Sequence, residues 1–183
     1  MDRNITCDSI WIRAGSLNAG NASVPFQSKL TIQVNGDRFD PGYVFDETLA
    51  ANKVFVVTGK LNLYGISPAT VSAKLTNNAL AGDSTIQVSS VSGWKVGDEI
   101  GLAPSFFKSR EYEKLTITGI SGNVVTFTPA LKYDHYGDAS VTINNNYGTL
   151  DTRASVGHIT RNIKIVSGPD AGWGYSIIVY QYW

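Results

Sequence analysis

The sequence is poor in the residues that protein chemistry most often uses. It has one cysteine, Cys7, two histidines, and only 16% charged residues. It contains no C-x-x-C, H-E-x-x-H, G-x-S-x-G, phosphate-binding loop or EF-hand motif. With so few cysteines and histidines, a zinc site would need carboxylate ligands as well. The sequence therefore predicts no metal site built on cysteine or histidine, and it argues against the enzyme classes that those motifs mark.

Charge argues against a nucleic-acid partner, and hydropathy argues against a membrane-spanning or signal segment within this stretch. The 15 basic and 15 acidic residues give a formal net charge of zero, whereas nucleic-acid binding needs a basic excess that releases phosphate counterions. No apolar run approaches the roughly 20 residues that span a bilayer, and the first residues lack the apolar core of a signal peptide. We expect any signal or membrane segment of the parent protein to lie outside this stretch.

Short bursts of alternating apolar and polar residues fill the chain instead, each closed by glycine or asparagine. Such alternation over 4 to 8 residues indicates β-strands. The one helical candidate, Phe45–Asn52, is short, so little helix is expected. The sequence predicts an all-β protein with strands at Ser9–Arg13, Lys29–Val34, Lys53–Thr58, Leu61–Tyr64, Thr85–Ser89, Glu99–Leu102, Lys114–Ile120, Val124–Thr128, Ser140–Asn144, Asn162–Val166 and Tyr175–Tyr180.

The spacing of these strands favours a solenoid. Strands end at Gly36, Gly59 and Gly65, and short strands that turn at glycines are typical of stacked coils. Because the period is not strict, a β-sandwich is the alternative. Residues 71–133 read differently: Ser121-Gly122-Asn123 joins two alternating strands, as in a tight hairpin. We expect a small antiparallel insert there.

The last residues form an apolar and aromatic run, Ile177-Ile178-Val179-Tyr180-Gln181-Tyr182-Trp183. An uncapped run of this kind exposes a strand edge and an apolar patch. We therefore expect either that a further coil of the parent chain follows or that another subunit covers the run through self-association.

Two N-x-S/T triplets and the lone cysteine bear on the compartment. The triplets begin at Asn4 and Asn21; they are either N-glycosylation sites of a secreted protein or ordinary turn residues. Cys7 is either an idle intracellular thiol or half of a disulfide whose partner lies outside the chain.

An ordered set of motifs resembles the G8 (eight-glycine) domain, a family that includes fibrocystin-like and cell-surface hyaluronidase-like proteins. Each motif is weak alone, but together they run in the expected order from about residue 9 to residue 166. The matching stretches are Ser9–Gly15, Leu17–Gly20, Pro25-Phe26, Lys29–Gly36, Val57–Gly65, Trp94–Ile100, Tyr112-Glu113, Leu131–His135 and Val156–Ile163.

The resemblance implies a right-handed parallel β-helix with a small antiparallel insert, in an extracellular or cell-surface setting. It places a G8 domain at residues 1–166, incomplete at its start, with the insert at about 71–133. Residues 167–183 then resemble the first of the following coils. In this setting Asn4 and Asn21 would carry glycans and Cys7 would pair outside the chain.

The resemblance also carries candidate catalytic residues onto this sequence. In hyaluronan-active relatives the matching stretch holds charged residues, which correspond here to Asp151, Arg153 and Arg161. Glycosidic cleavage commonly uses two carboxyl groups, and arginines can clamp a uronic carboxylate. However, this chain has His158 where relatives have leucine, and it has Ser155 where they often have glutamate. The second difference removes a carboxylate and argues against depolymerase activity.

Other candidates have simpler structural alternatives. His135 and His158 are predicted as ligand-binding or acid–base groups, or else as packing histidines. Trp173 offers a sugar-stacking surface, or else an internal contact. Structural interpretations also exist for three further groups: Arg161-Asn162 would anchor a turn between coils, Asp98 would cap its turn, and Asn144–Asn146 would form either an asparagine ladder or a turn.

One loop offers oxygen ligands of the kind that calcium binds. Asn35, Asp37 and Asp40 lie close together in sequence. A calcium site is kept as an alternative to a plain turn, and no other cofactor is predicted.

We therefore expect a structural or adhesive extracellular β-helix module of a larger secreted or cell-surface glycoprotein, not a complete enzyme. Its partners would be glycans, other extracellular proteins and the rest of the parent chain. One alternative is the accessory part of a hyaluronan-type polysaccharide depolymerase. The other is a self-assembling extracellular fibre subunit.

Overall fold

The computed structural model describes residues 4–37, 39–45, 48–50, 52–138, 140–142, 149–168 and 174–179. Over these residues the protein is all-β, as predicted, and its one helical element is a 3-10 turn at Ser109–Glu111. None of the described residues forms a helix with the length and apolar character needed to cross a bilayer. The strands are β1 (Ile5–Cys7), β2 (Ser9–Ile12), β3 (Ser16–Ala19), β4 (Leu30–Val34), β5 (Val44–Phe45), β6 (Thr48–Leu49), β7 (Val54–Val57), β8 (Lys60–Leu63), β9 (Ser72–Lys74), β10 (Thr85–Gln87), β11 (Glu99–Leu102), β12 (Glu113–Ser121), β13 (Val124–Thr128), β14 (Ser140–Thr142), β15 (Thr149–Asp151), β16 (Ser155–His158), β17 (Ile163–Ser167) and β18 (Ser176–Val179).

The chain divides into two compact units. The first, which we call the coil unit, comprises Met1–Ile66 and Arg161–Trp183. The second, which we call the sheet unit, comprises Ser67–Thr160 and is inserted between β8 and β17. The sheet unit is larger than the insert predicted at about 71–133, because β16 pairs antiparallel with β11 and β9 and so belongs to it.

The coil unit is a stack of parallel strands. Three passes of the chain lie on one another: β1, β2 and β3 form the first, β4, β7 and β8 the second, and β17 and β18 the third. Strand β4 lies between β1 and β17, β7 lies between β2 and β18, and β8 pairs with β3. All of these pairings are parallel, which is the arrangement that solenoid-like glycine spacing favours.

Like side chains stack on like within these sheets. Ile5 of β1 lies opposite Ile32 of β4, which in turn lies opposite Ile165 of β17. Leu17 lies opposite Leu61 in the β3–β8 pair. Because side chains alternate across a strand, one face of every pass contributes to a common apolar interior. Its buried members are Ile12, Ala19, Leu30, Ile32, Phe55 and Val57.

Strand β7 is buried on both faces. Phe55 and Val57 point into the interior, whereas Val54 and Val56 belong to a second, outer cluster with Ala50. Phe45 packs against this outer cluster, and its ring meets that of Trp11 edge-on at 5.2 Å. The helical candidate Phe45–Asn52 is therefore wrong: its start forms the β5–β6 antiparallel pair, because packing over β7 outweighs a weak local preference.

The side-chain amide of Asn162 ties the passes of the coil unit together. Its Nδ2 donates to the carbonyls of Phe26 and Ser28, at 2.6 and 2.9 Å, and its Oδ1 accepts from the backbone N of Ile66 at 2.8 Å. A Cβ on Gly65 would lie 2.6 Å from this Oδ1, so a larger residue at this position would displace the Asn162 side chain from its hydrogen bonds. The predicted role of Arg161-Asn162, anchoring a turn between coils, is confirmed for Asn162.

An asparagine ladder is present in the coil unit, although at another place than the one considered. Asn18 and Asn62 are register partners in β3 and β8, and the Nδ2 of Asn62 donates to the Oδ1 of Asn18 at 2.8 Å. The candidate ladder at residues 144–146 lies outside the described residues. Stacked amides satisfy each other along a parallel sheet in this way.

The sheet unit is built on a six-stranded antiparallel sheet in the order β10-β13-β12-β11-β16-β9. The predicted hairpin is confirmed: β12 ends at Ser121, β13 begins at Val124, and Gly122 adopts the positive φ of 57° that a tight turn requires. Alternating residues of the strands form the core, whose members include Leu75, Ile100, Leu102, Leu115, Ile117, Val125, Phe127 and Val156.

We expect Asn162→Ala to lower the free energy of unfolding by about 2 kcal/mol, because three backbone groups lose their partner. Asn18→Ala is the matched control in the same unit; it removes exposed side-chain bonds and should cost less than about 1 kcal/mol. Urea unfolding of the three proteins measures the difference. Equal losses in the two variants would show that Asn162 does not tie the passes together.

Candidate functional site

Asp151 and Arg153 form an exposed ion pair at the end of β15. The Nε and Nη2 of Arg153 donate to the two carboxylate oxygens of Asp151 at 2.9 and 2.8 Å. The backbone N of Arg153 donates to the same carboxylate at 3.1 Å. The side-chain hydrogen bond from Arg153 holds the pKa of Asp151 well below its ordinary value. Both carboxylate oxygens are thus engaged by the neighbouring arginine.

Arg161, the third predicted catalytic residue, belongs to the coil unit, whereas Asp151 and Arg153 belong to the sheet unit. Arg161 directly precedes the amide tie at Asn162 and is partly buried. A catalytic role for Asp151, Arg153 and Arg161 stays a prediction that rests on the resemblance.

His135 is fully buried and forms the centre of a polar cluster in the sheet unit. Its Nδ1 lies 2.9 Å from the carbonyl of Ala103, and because a carbonyl only accepts, Nδ1 is the donor. Its Nε2 lies 3.1 Å from the Oε1 of Glu113, a carboxylate that is itself only 6% exposed. The backbone N atoms of Lys132 and Tyr133 also donate to Glu113. The pair therefore holds three segments together, those around residues 103, 113 and 133.

His158 is likewise buried, and it joins two of the motifs that carry the family resemblance. Its Nε2 lies 2.9 Å from the Oδ2 of Asp98, and the same oxygen accepts from the backbone N of Lys95 at 2.8 Å. The prediction that Asp98 caps its own turn is therefore confirmed. The indole of Trp94 lies 6.0 Å from the imidazole of His158 and donates to the carbonyl of Thr70.

The sequence allowed either packing or ligand binding for His135 and His158. In the structure both imidazole rings have a packing role. Ligand binding by His135 and His158 stays a prediction, and their burial, 0% and 5% exposed, places neither ring at the protein surface. Trp173, the third predicted ligand-binding residue, lies outside the described residues.

The predicted modification sites lie in the coil unit. Asn4 and Asn21 are exposed; the Oδ1 of Asn4 accepts from Thr31 N, and that of Asn21 accepts from Ser23 N and Val24 N. Cys7 is half-buried in β1, and burial together with Asp8 raises the pKa of its thiol. Its pairing with a cysteine outside the chain stays a prediction.

The loop considered for calcium uses its carboxylates to close turns. Asp40 accepts from the backbone N of Asp37 at 2.7 Å, and Asp37 accepts from that of Phe39 at 3.0 Å. The Oδ1 of Asn35 accepts from Gln33. Over the described residues no group of three or more acidic, histidine or cysteine side chains is arranged to hold a metal.

A surface groove of about 540 Å³ lies in the sheet unit, and the sequence did not single it out. Its volume falls in the range of about 300–1,000 Å³ that ligand sites occupy. We call it the Phe107 groove, after its most exposed side chain, which is fully open to solvent. The consecutive aromatics Phe106-Phe107 between polar neighbours, outside any alternating stretch, were the one signal available. The lining residues are Ala81, Phe106, Phe107, Lys108, Glu111, Lys132, Tyr133 and Asp134.

The polar cluster at His135 supports both walls of the Phe107 groove. Ala103, whose carbonyl holds His135, leads into the wall at residues 106–111. Lys132 and Tyr133, whose amides hold Glu113, form the opposite wall. The hydroxyl of Ser105 also accepts from the backbone N of Tyr136 at 2.7 Å. The walls are therefore fixed relative to each other without a ligand.

Comparison with known proteins identifies a family for the first part of the chain. Residues 1–76 match the G8 domain. Fibrocystin-L of Mus musculus is 33% identical over 168 residues, and fibrocystin-L of Homo sapiens is 31% identical over 182 residues. These alignments cover 89% and 96% of this chain but only 4% of each relative. A G8 domain-containing protein of Dictyostelium discoideum is 44% identical over 68 residues, 36% of this chain and 5% of that protein.

Solved structures with a similar course of chain are bacteriophage tailspikes. The Gp54 tailspike of Acinetobacter baumannii bacteriophage AP22, in complex with A. baumannii capsular saccharide, has a TM-score of 0.40 at 12% identity and covers 97% of this chain and 26% of that chain. The gp49 tailspike of Pseudomonas phage LKA1 has a TM-score of 0.39 at 18% identity, covering 90% and 25%. Likeness at this level assigns neither fold nor function.

We expect Glu113→Ala to destabilise the protein by about 3 to 5 kcal/mol, because it removes one partner of a buried ionisable pair and leaves two amides unsatisfied. Glu99→Ala is the control, since Glu99 forms a solvent-exposed salt bridge with Lys114 that is worth at most about 1 kcal/mol. Urea unfolding provides the measurement. If both variants lost less than about 1 kcal/mol, the support that Glu113 gives to the groove walls would be disproved.

Proposed function

The chain carries a G8 domain, which its first 76 residues match, and is similar to fibrocystin-L over most of its length; from this premise we propose that it is a structural and adhesive module of an extracellular β-helical glycoprotein. The observation that carries the proposal is the parallel stack of the coil unit. Each pass of such a stack buries its apolar face only against the next, so stacks of this kind extend by adding passes. We propose that these passes wind as a right-handed parallel β-helix.

The extracellular setting is supported by the two sequons. Asn4 and Asn21 are both exposed, and each uses its Oδ1 to accept from the backbone. In the part of the chain that the structure describes, neither Nδ2 donates a hydrogen bond. The atom to which a glycan is attached is thus accessible at both sites. Cys7 would then find its disulfide partner elsewhere in the parent protein or in a neighbour.

An adhesive role fits the side chains that remain at the surface of the sheet unit. The charged pair at Asp151 and Arg153 is internally satisfied, whereas Phe106, Phe107, Tyr112 and Tyr133 are at least one-third exposed. Aromatic side chains at a surface are typical of contact sites. We propose that this surface contacts glycans or other extracellular proteins.

We expect the protein to leave the chain length of hyaluronan unchanged on prolonged incubation, because the hydrogen bond from Arg153 lowers the pKa of Asp151 and makes its carboxylate a weaker base. The size distribution of the polysaccharide, followed by light scattering, is the readout, and Asp151→Asn is the matched variant. Depolymerisation by the unmodified protein that Asp151→Asn abolishes would refute the proposed function and support a depolymerase.

Mass spectrometry of the protein from its natural source tests the extracellular setting. We expect N-linked glycans on both Asn4 and Asn21, because both are exposed and their Nδ2 atoms are accessible. Peptides containing Asn18 and Asn62, which lie outside N-x-S/T triplets, are the internal control. Two unmodified sequons would contradict the extracellular proposal.

A further inference from the structure

The Phe107 groove has the features of a binding site, and what it would bind follows from its lining. We propose that it binds an uncharged sugar chain, with the rings of Phe107 and Tyr133 as stacking platforms. This inference rests on the adhesive function proposed above and identifies the surface and the ligand class.

The aromatic rings are placed as a ligand platform and not as a core. The Phe107 side chain is fully exposed and Tyr133 is 38% exposed. The neighbouring Phe106, by contrast, is held by the ring of Tyr136, which meets it edge-on at 5.3 Å. One ring of the pair therefore anchors the loop while the other faces solvent. Covering an exposed ring of this size would contribute about 1.5–3 kcal/mol, which is available to a ligand.

The charges in the groove balance one another. Its two basic residues are Lys108 and Lys132, and its two acidic residues are Glu111 and Asp134. Lys108 and Glu111 form an ion pair at 3.3 Å. The Oδ1 of Asp134 accepts from the backbone N of Ala81. A polyanion would meet the acidic residues as well as the lysines, so the lining gives it no net attraction.

These side chains still offer donors and acceptors next to apolar rings. The ammonium of Lys132 can donate, and the remaining carboxylate oxygens of Glu111 and Asp134 can accept. A sugar presents a matching surface: its hydroxyls both donate and accept, and the C–H bonds of one ring face carry slight positive charge. That face is attracted to the negative face of an aromatic ring. The groove thus fits a polar ligand without formal charge.

The walls of the groove do not favour an extended peptide. Peptides that add to a protein by main-chain pairing need an open strand edge. The lining residues lie instead in the connections between strands, including the 3-10 turn at Ser109–Glu111. Recognition must therefore come from side chains.

The groove is also held in place before any ligand arrives. Glu113 and His135 join the segments that form its two walls, and Ser105 bonds to the amide of Tyr136. Fixing both walls in advance reduces the ordering that binding would otherwise require. Glu113 and His135 act as positioning residues, whereas Phe107 and Tyr133 make the contacts.

Saturation-transfer NMR on the full chain tests the proposal. The probes are neutral oligosaccharides of glucose, mannose and N-acetylglucosamine, with hyaluronan and chondroitin sulfate fragments as acidic counterparts. We expect binding of at least one neutral oligosaccharide, with an affinity that stays constant from about 50 mM to about 200 mM salt because no net charge is neutralised. Phe107→Ala and Tyr133→Ala should each weaken it by about tenfold, while Tyr133→Phe, which keeps the ring, should retain most of it.

Phe39→Ala is the matched control, since Phe39 is 85% exposed but lies in the coil unit. This variant should bind the neutral oligosaccharide as well as the unmodified protein does. Circular dichroism verifies that every variant folds. Neutral-sugar binding that Phe107→Ala and Tyr133→Ala leave intact would overturn the groove assignment and leave the adhesive function standing. Binding confined to the acidic fragments would overturn the ligand class. Failure of every probe to bind would overturn the inference altogether, while depolymerisation of hyaluronan would refute the proposed function itself.

Discussion

The three hydrogen bonds of the Asn162 side chain are the constraint on which the coil unit depends. Connections between its strands differ greatly in length: a single residue, Asp8, separates β1 from β2, whereas residues 35–53 separate the corresponding β4 and β7. Turn geometry therefore cannot set the register of one pass upon the next. The register must come from stacked apolar side chains and from polar contacts between the passes. Asn162 supplies such contacts, because its side chain bonds to the backbone of two other segments.

In the sheet unit, ionisable side chains hold distant segments together in a similar way. Glu113 with His135, and Asp98 with His158, each join segments that are distant in sequence. In the second pair, Trp94 and Asp98 of one motif meet His158 of another, a position at which this chain departs from the leucine of its relatives. With its polar partners buried in this way, the sheet unit leaves at its surface the aromatic and charge-balanced lining of the Phe107 groove.

Strands of four or more residues with clear alternation could be predicted, and Lys53–Thr58 and Val124–Thr128 closely match β7 and β13. Some of the short ones could not, although β10 and β14 lie within the predicted Thr85–Ser89 and Ser140–Asn144. Strands β1 and β9 have three residues each, too few to show a period of two. The helical candidate at Phe45–Asn52 is wrong for a tertiary reason: Phe45 packs against Trp11 over the outer face of β7, and Phe45 pairs with Thr48 in the β5–β6 pair.

For the candidate site too, some features could be predicted from the sequence and others could not. The sequence alone predicts the all-β class, the hairpin at Gly122, the turn role of Asp98 and the similarity to the G8 domain. Each of these depends on residues that are near one another in the chain or on an ordered set of local motifs. Only the tertiary structure decided which chemistry-bearing side chains are buried and which are exposed. Glu113 and His135 are 22 residues apart, and no local pattern reveals that they meet. Likewise, Phe107 and Tyr133 come to line one groove because the strands between them fold back on each other, a long-range arrangement that spacing along the chain does not encode.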